Sequence, residues 1–167
     1  EGRLPKAVVA VHLSGRPVDL EKIAALKEKY GFVLVEDAAH ALGAVYHGTM
    51  IGSCAFSDIT VLSFHPVKII TTAEGGMCLT NNEKFYRIMR KYSSHGIEHN
   101  REYLENKDMP AYYYEMQELG FNYRLSDLQA ALGISQLSKI DGFLKRRREI
   151  ALDYRNLSQD NENLTLP

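Results

Sequence analysis

The chain has 167 residues, is 45% hydrophobic and 25% charged, and carries a formal net charge of −1. That is enough chain for the core of one domain and an ordinary soluble composition. It gives no basic excess for nucleic acid, no apolar run near the roughly 20 residues of a membrane span, and no signal-peptide pattern at Glu1-Gly2-Arg3. The densest basic cluster, residues 145–148, reads as a solvated helix face. Cys54 and Cys78 lack metal spacing and are too few for a disulfide framework. They read as small core residues of a reducing compartment, which favours a cytoplasmic location.

In chain order, KAVVAVHL (6–13) is a short β-branched run, the pattern of a strand buried on both faces. VDLEKIAALKEKYG (18–31) follows with near-helical apolar spacing, Asp19 as a cap and Gly31 as a stop. FVLVED (32–37) is a second buried strand, so a strand–helix–strand unit with parallel pairing and a right-handed crossover is expected. ITVLSFH (59–65) and GGMCLTN (75–81) read as two more strands. NEKFYRIMRKYSSHG (82–96) begins as a helix capped by Asn81 or Asn82 and ends at glycine. Residues 97–118 are polar, Tyr-rich and without clear period, and read as an extended loop. Two helices are expected after that, from Ser126 to about Ile140 and from Asp141 to about Leu157. The fold class is α/β, with a mostly parallel central sheet flanked by helices.

In open parallel sheets, ligands bind outside the carboxyl ends of the strands. Asp37 closes the second strand, and His40 lies one turn beyond it. Ser63 ends the third, and Lys68 follows in a loop of small residues. An amine and a carboxylate across one pocket suit pyridoxal phosphate, which needs an amine to bond its aldehyde and a carboxylate to keep its pyridine nitrogen protonated. A phosphate accepts from hydroxyls such as that of Ser63 and from backbone amides. The same spacings also fit a turn aspartate, a structural histidine, a hydroxyl on local backbone and a surface lysine. Spacing alone leaves both readings open.

VEDAAHALGA, followed by IGSCAFSDITVLSFHPVKIITTAEGGMCLTNN, resembles the signature of the sugar-nucleotide aminotransferases of DegT/DnrJ/StrS type, which are fold-type-I pyridoxal phosphate enzymes. ELGFNYRLSDLQAALGISQL resembles that family's later motif, and the likeness runs from about Val8 to Leu152. HALGA, SFHPVKIITTAEGG, YYYEMQELGFNYRLSD and LKRRREIA are most similar to members that act in pseudaminic acid biosynthesis. Those members aminate a UDP-linked 4-keto-6-deoxy sugar with glutamate as donor.

The resemblance implies a role for each matching position. Lys68 would be the Schiff-base lysine and proton shuttle. Asp37 would pair with the pyridinium nitrogen, His40 would stand near the ring's phenolic oxygen, and Ser63 would bond the cofactor phosphate. Asn122 would reach the phosphate in a neighbouring subunit's site, making a homodimer the functional unit. A histidine takes the place of Lys68 in the family's dehydratase relatives, so transamination is expected over deoxygenation. The expected geometry sets the Lys68 amine and the Asp37 carboxylate across a gap about one aromatic ring wide.

Family members run to more than twice this length. Residues 1–167 would then be the central part of the cofactor-binding large domain, with the phosphate loop upstream and a small domain downstream. Such a piece by itself would hold cofactor poorly. A truncated, non-catalytic paralogue serving as a structural or dimerisation module is the rival expectation. A dinucleotide-binding domain is disfavoured, because LSGRPVD after the first strand is not a G-x-G-x-x-G loop. Thr71, Thr72, Gly75 and Gly76 would let backbone pass close to a cofactor. Glu74 reads either as a solvated carboxylate or as a buried acid fixing the loop. The helix with Leu125, Leu128, Ala131 and Leu132 reads as core or dimer contact. The tyrosines of 97–118 read equally as nucleotide or partner contacts and as packing within the domain.

Overall fold

The computed structural model describes residues 2–159, 161, 163 and 164. The elements in chain order are β1 (Ala7–Val11), α1 (Leu20–Tyr30), β2 (Val33–Asp37), the short strands β3 (Val45–Tyr46) and β4 (Thr49–Met50), β5 (Ile59–Ser63) and β6 (Gly76–Leu79). Then come α2 (Glu83–Ser93), β7 (Ile97–Glu98), β8 (Glu115–Met116), α3 (Asp127–Leu137) and α4 (Ile140–Ser158). The central sheet has the order β1-β2-β5-β6. Its first three strands run parallel, and β6 returns antiparallel beside β5. The expected α/β architecture is therefore present.

Local chemistry sets the helix ends. The Asp19 side chain accepts from Lys22 N at 3.3 Å, and Gly31 closes α1 in a left-handed conformation (φ 71°) with its N–H on Lys27 O. A residue with a Cβ would be strained at that φ, which is why glycine stops helices there. Asn82 caps α2 by accepting from Lys84 N and Phe85 N. Ser126 and Gln129 form a reciprocal capping box at the start of α3, satisfying donors that a helix end leaves open.

The sheet is covered unequally. Leu34 and Glu36 of β2 and Thr60 and Leu62 of β5 are buried, while Val33, Val35, Asp37, Ile59, Val61 and Ser63 alternate with them on a half-covered face. The core lies on the buried side, where Leu20, Ala38, Ala41, Ile51, Leu62, Phe64 and Ile70 meet Ile140 and Phe143 of α4. On the other side Val9 and Val11 are 60% and 47% exposed. The expectation that β1 is buried on both faces is thus corrected. Cys78 is corrected too: Cys54 is a core residue against Thr60, but Cys78 is exposed because its register opposite Val61 puts it on the open face.

Residues 97–118 are not one irregular loop. Strands β7 and β8 pair antiparallel, Arg101–Tyr103 make a 3₁₀ turn, and the Arg87 guanidinium sits 3.2 Å from the Tyr103 ring centroid. Glu115 ties the segment by accepting from Glu105 N, Asn106 N, Asn106 Nδ2 and Gln117 Nε2. Two-residue strands are too short to show a period in sequence, which hid them.

Burial raises the Glu115 carboxyl, but the hydrogen bonds from Gln117, Asn106 and Glu105 outweigh it and lower the pKa from 4.5 to about 2. A carboxylate lowered on folding contributes stability above its unfolded value and loses that contribution as pH falls through its folded value. The segment should therefore hold down to about pH 4.5 and loosen as pH falls toward about 2. Carboxyl carbon shifts followed by NMR should titrate Glu115 in that range, and Glu115→Gln should make residues 97–118 more protease-sensitive at neutral pH.

Candidate functional site

Asp37 and Ser63 come together through strand register. Asp37 lies opposite Val61, and Ser63 is two residues further along β5 on the same face, so a pleat of period two puts both side chains at the carboxyl edge of the open face. Asp37 Oδ1 accepts from Ala39 N at 3.1 Å, which turns the chain out of β2. His40 follows, exposed, its Nδ1 accepting from Ser14 N at 3.2 Å. That acceptor role leaves its proton on Nε2, available as a donor. The turn from β1 crowds this point: Gly15 has φ 83°, and a Cβ there would stand 2.8 Å from His40 O.

Lys68 stands in a loop that closes on itself. Phe64 N donates to Gly75 O, and Phe64 O accepts from Thr72 N and from the Thr71 hydroxyl. The Thr72 hydroxyl donates to Glu74 O, and Ser63 Oγ accepts from His65 N at 3.4 Å. The small residues of 71–75 thus close the loop's own backbone. Glu74 resolves as a solvated carboxylate, its side chain 74% exposed and 4.0 Å from His65 Nε2. Its carbonyl, not its carboxylate, helps fix the loop.

Sequence reasoning missed what braces this loop from outside. Gln129 Nε2 of α3 donates to Glu74 O at 2.9 Å, and a Cβ on Gly133 would stand 2.9 Å from Thr72 Cγ2. Apolar period offered Leu128 and Leu132 as the helix's contacts, but Leu128 is 83% exposed. The available signals were the glycine inside a helix and the glutamine of the capping box, one turn apart on one face.

Lys68 is half-buried and lines a cleft of about 350 Å³ with His40; the other walls come from residues 14–15, 39–44 and 67–69 and from Leu144, Arg147 and Arg148 of α4. Among the described residues, no carboxylate pairs with Lys68 Nζ. Asp37 and Ser63 do not line this cleft; they lie together on the open sheet face, so the expected facing of the Lys68 amine and the Asp37 carboxylate across one shared gap is not seen. Asn122, in the segment between β8 and α3, is exposed, forms a β-bridge with Ser94 just after α2, and is not part of the cleft either. Among the described residues, no cluster of His, Cys, Asp and Glu could hold a metal ion, and no helix is long and apolar enough to cross a membrane.

The fold is α/β, and a lysine, a carboxylate and a hydroxyl stand at the carboxyl ends of its strands. The chain belongs to the DegT/DnrJ/EryC1/StrS aminotransferase family, whose model matches residues 2–167. The chain is 44% identical over 148 residues to the UDP-4-amino-4,6-dideoxy-N-acetyl-beta-L-altrosamine transaminase of Campylobacter jejuni, covering 89% of this chain and 36% of that protein. Among solved structures it is similar to Helicobacter pylori PseC, an aminotransferase involved in the biosynthesis of pseudoaminic acid. There the TM-score is 0.83 at 36% identity, covering 94% of this chain and 39% of that one. It is also similar to a Streptococcus pneumoniae protein named as a sugar aminotransferase and solved in a PLP form, with TM-score 0.73 and 27% identity, covering 93% and 42%. The chain thus spans about two-fifths or less of the length of these relatives.

The donor set matches in kind what the cofactor of that family needs, with only Lys68 and His40 lining the cleft. It offers an amine without a carboxylate partner, a carboxylate at a strand end, a hydroxyl beside it, and an imidazole with a free donor. The bracing of the lysine loop makes a prediction. Gly133→Val should drive a side chain into Thr72 and cost about 1–3 kcal/mol, as overpacking does. Gly142→Ala in α4, where a Cβ meets nothing within 4 Å, should instead stabilise by about 0.4–1 kcal/mol. Urea unfolding of both variants checks the contrast.

Proposed function

We propose that the whole protein, of which residues 1–167 form the central part of the cofactor-binding large domain, moves an amino group from glutamate to a UDP-linked 4-keto-6-deoxy sugar in pseudaminic acid biosynthesis. The observation that carries this reading is Lys68: a half-buried amine at the carboxyl edge of the sheet, in a cleft with His40 and without a carboxylate partner. Family membership and the named activity of the Campylobacter relative support the reaction class.

When bound, pyridoxal phosphate supplies an electron sink for the charge left by a departing substrate proton. The residues of this chain do the rest. Lys68 Nζ would hold the cofactor at its aldehyde carbon and would serve as the proton carrier. Asp37 would supply the carboxylate that keeps the ring nitrogen protonated. His40, already fixed through Nδ1 by Ser14 N, would offer Nε2–H to the ring's phenolic oxygen. Ser63 would donate its hydroxyl to the cofactor phosphate. Asn122, exposed and outside the cleft, would reach the phosphate of the second copy in a homodimer.

Full-length protein purified with its cofactor should absorb in the visible. Lys68→Ala should remove that band and lower turnover on the order of a thousandfold or more. Unchanged turnover in this variant would rule the assignment out. Mixing Lys68→Ala with Asn122→Ala protein tests the shared site, since hybrid dimers regain activity that neither parent has; a mixture no better than its parents removes Asn122 from the partner's site.

A further inference from the structure

The cleft that holds Lys68 has a wall of one electrical sign. Among the described residues, every ionisable group lining it is a base: Lys68, Arg147, Arg148 and His40, with Ser14 beside them. No aspartate or glutamate among the described residues lines it. The neighbouring arginine on the same helix behaves differently, since Arg146 pairs with Glu149 at 3.2 Å and points elsewhere. Among the described residues, neither Arg147 nor Arg148 has a carboxylate partner.

Within 145–148, then, two positions turn to the cleft and two do not. A solvated face, the expectation from sequence, accounts for Lys145 and Arg146 only. Guanidinium groups present planar forks of N–H donors that match the oxygens of a carboxylate or phosphate. His40, whose Nδ1 is occupied by Ser14 N, can add only a donor, through Nε2–H. All the polar side chains that line the space can donate to an anion and none can serve as counter-ion to a cation. About 350 Å³ is room for a small ligand group.

We propose that Arg147 and Arg148 form an oxyanion-binding site on the far wall of the Lys68 cleft, which takes a carboxylate or phosphate of the molecule that reacts at Lys68. The site adds binding energy and orientation at a distance from the reacting amine, and its cationic wall draws anions toward the cleft. The identity of the reacting molecule rests on the function proposed above; the existence of the anion site does not.

The test uses full-length protein loaded with pyridoxal phosphate, so that the cofactor's own phosphate site is filled. Inorganic phosphate and glutarate are each titrated calorimetrically at low ionic strength against three proteins. These are the unaltered one, Arg147→Gln/Arg148→Gln, and Lys145→Gln/Arg146→Gln, which removes the same charge from positions that do not line the cleft. We expect the first pair of substitutions to weaken anion binding about tenfold or more, as loss of charge-assisted hydrogen bonds does. The second pair should leave it within about twofold of the unaltered protein. Binding of phosphate alone assigns the site to a phosphate-bearing substrate, and binding of glutarate alone assigns it to a dicarboxylate donor. Absence of both, or equal weakening in the two double variants, overturns the proposal. The visible band of each sample reports separately on Lys68, so a failed cofactor assignment is distinguished from a failed anion site. Far-ultraviolet circular dichroism confirms that both variants, altered on exposed helix positions, stay folded.

Discussion

A buried carboxylate underlies the placement of the strands. Glu36 is 2% exposed, and it accepts from His12 Nε2 at 2.8 Å, from the Ser57 hydroxyl and from Thr60 Oγ1 at 3.4 Å. His12 follows β1, Glu36 belongs to β2, and Thr60 to β5. One side chain therefore ties three parallel strands from the covered side. Val18 N donates to His12 Nδ1, which sets the Nε2–H tautomer and aims the ring at Glu36. Removing one partner of such a network leaves a buried polar group unsatisfied, a heavier loss than the net worth of one hydrogen bond.

Asp37 is the next residue, and alternation turns it to the opposite face. The core network and the candidate site are thus the two sides of one strand end. A slip of one register position would send Asp37 into the core and Glu36 into the site. The same alternation puts Ser63 beside Asp37 and starts the loop that carries Lys68 from the adjacent edge. α3 then braces that loop through Gln129, and α4 completes the cleft with Arg147 and Arg148.

Much of this was legible in the sequence where the cause is local. The β-branched runs fell on β1, β2 and β5, GGMCLTN covered β6, and Asp19, Gly31, Asn82 and Ser126 marked helix ends because each makes its bond within a few residues. The pairing of β7 with β8 was not legible, since it depends on Glu115 gathering donors from Glu105, Asn106 and Gln117. Nor was the exposure of Val9, Val11 and Cys78, because a β-branched run reads the same whether one or both faces are covered. At the site, Asp37, His40, Ser63 and Lys68 were located by strand ends, but their roles came from family resemblance rather than from spacing. The contributions of Gln129, Arg147 and Arg148 join segments more than fifty residues apart, and no local pattern announces them.

The account depends on Lys68 being the amine that bonds the cofactor. The most direct measurement is borohydride reduction of the full-length protein with bound pyridoxal phosphate, followed by digestion and mass spectrometry of the peptides. The account predicts one stable pyridoxyl adduct, on the peptide that contains Lys68. An adduct carried by another lysine, with the Lys68 peptide unmodified, would contradict it.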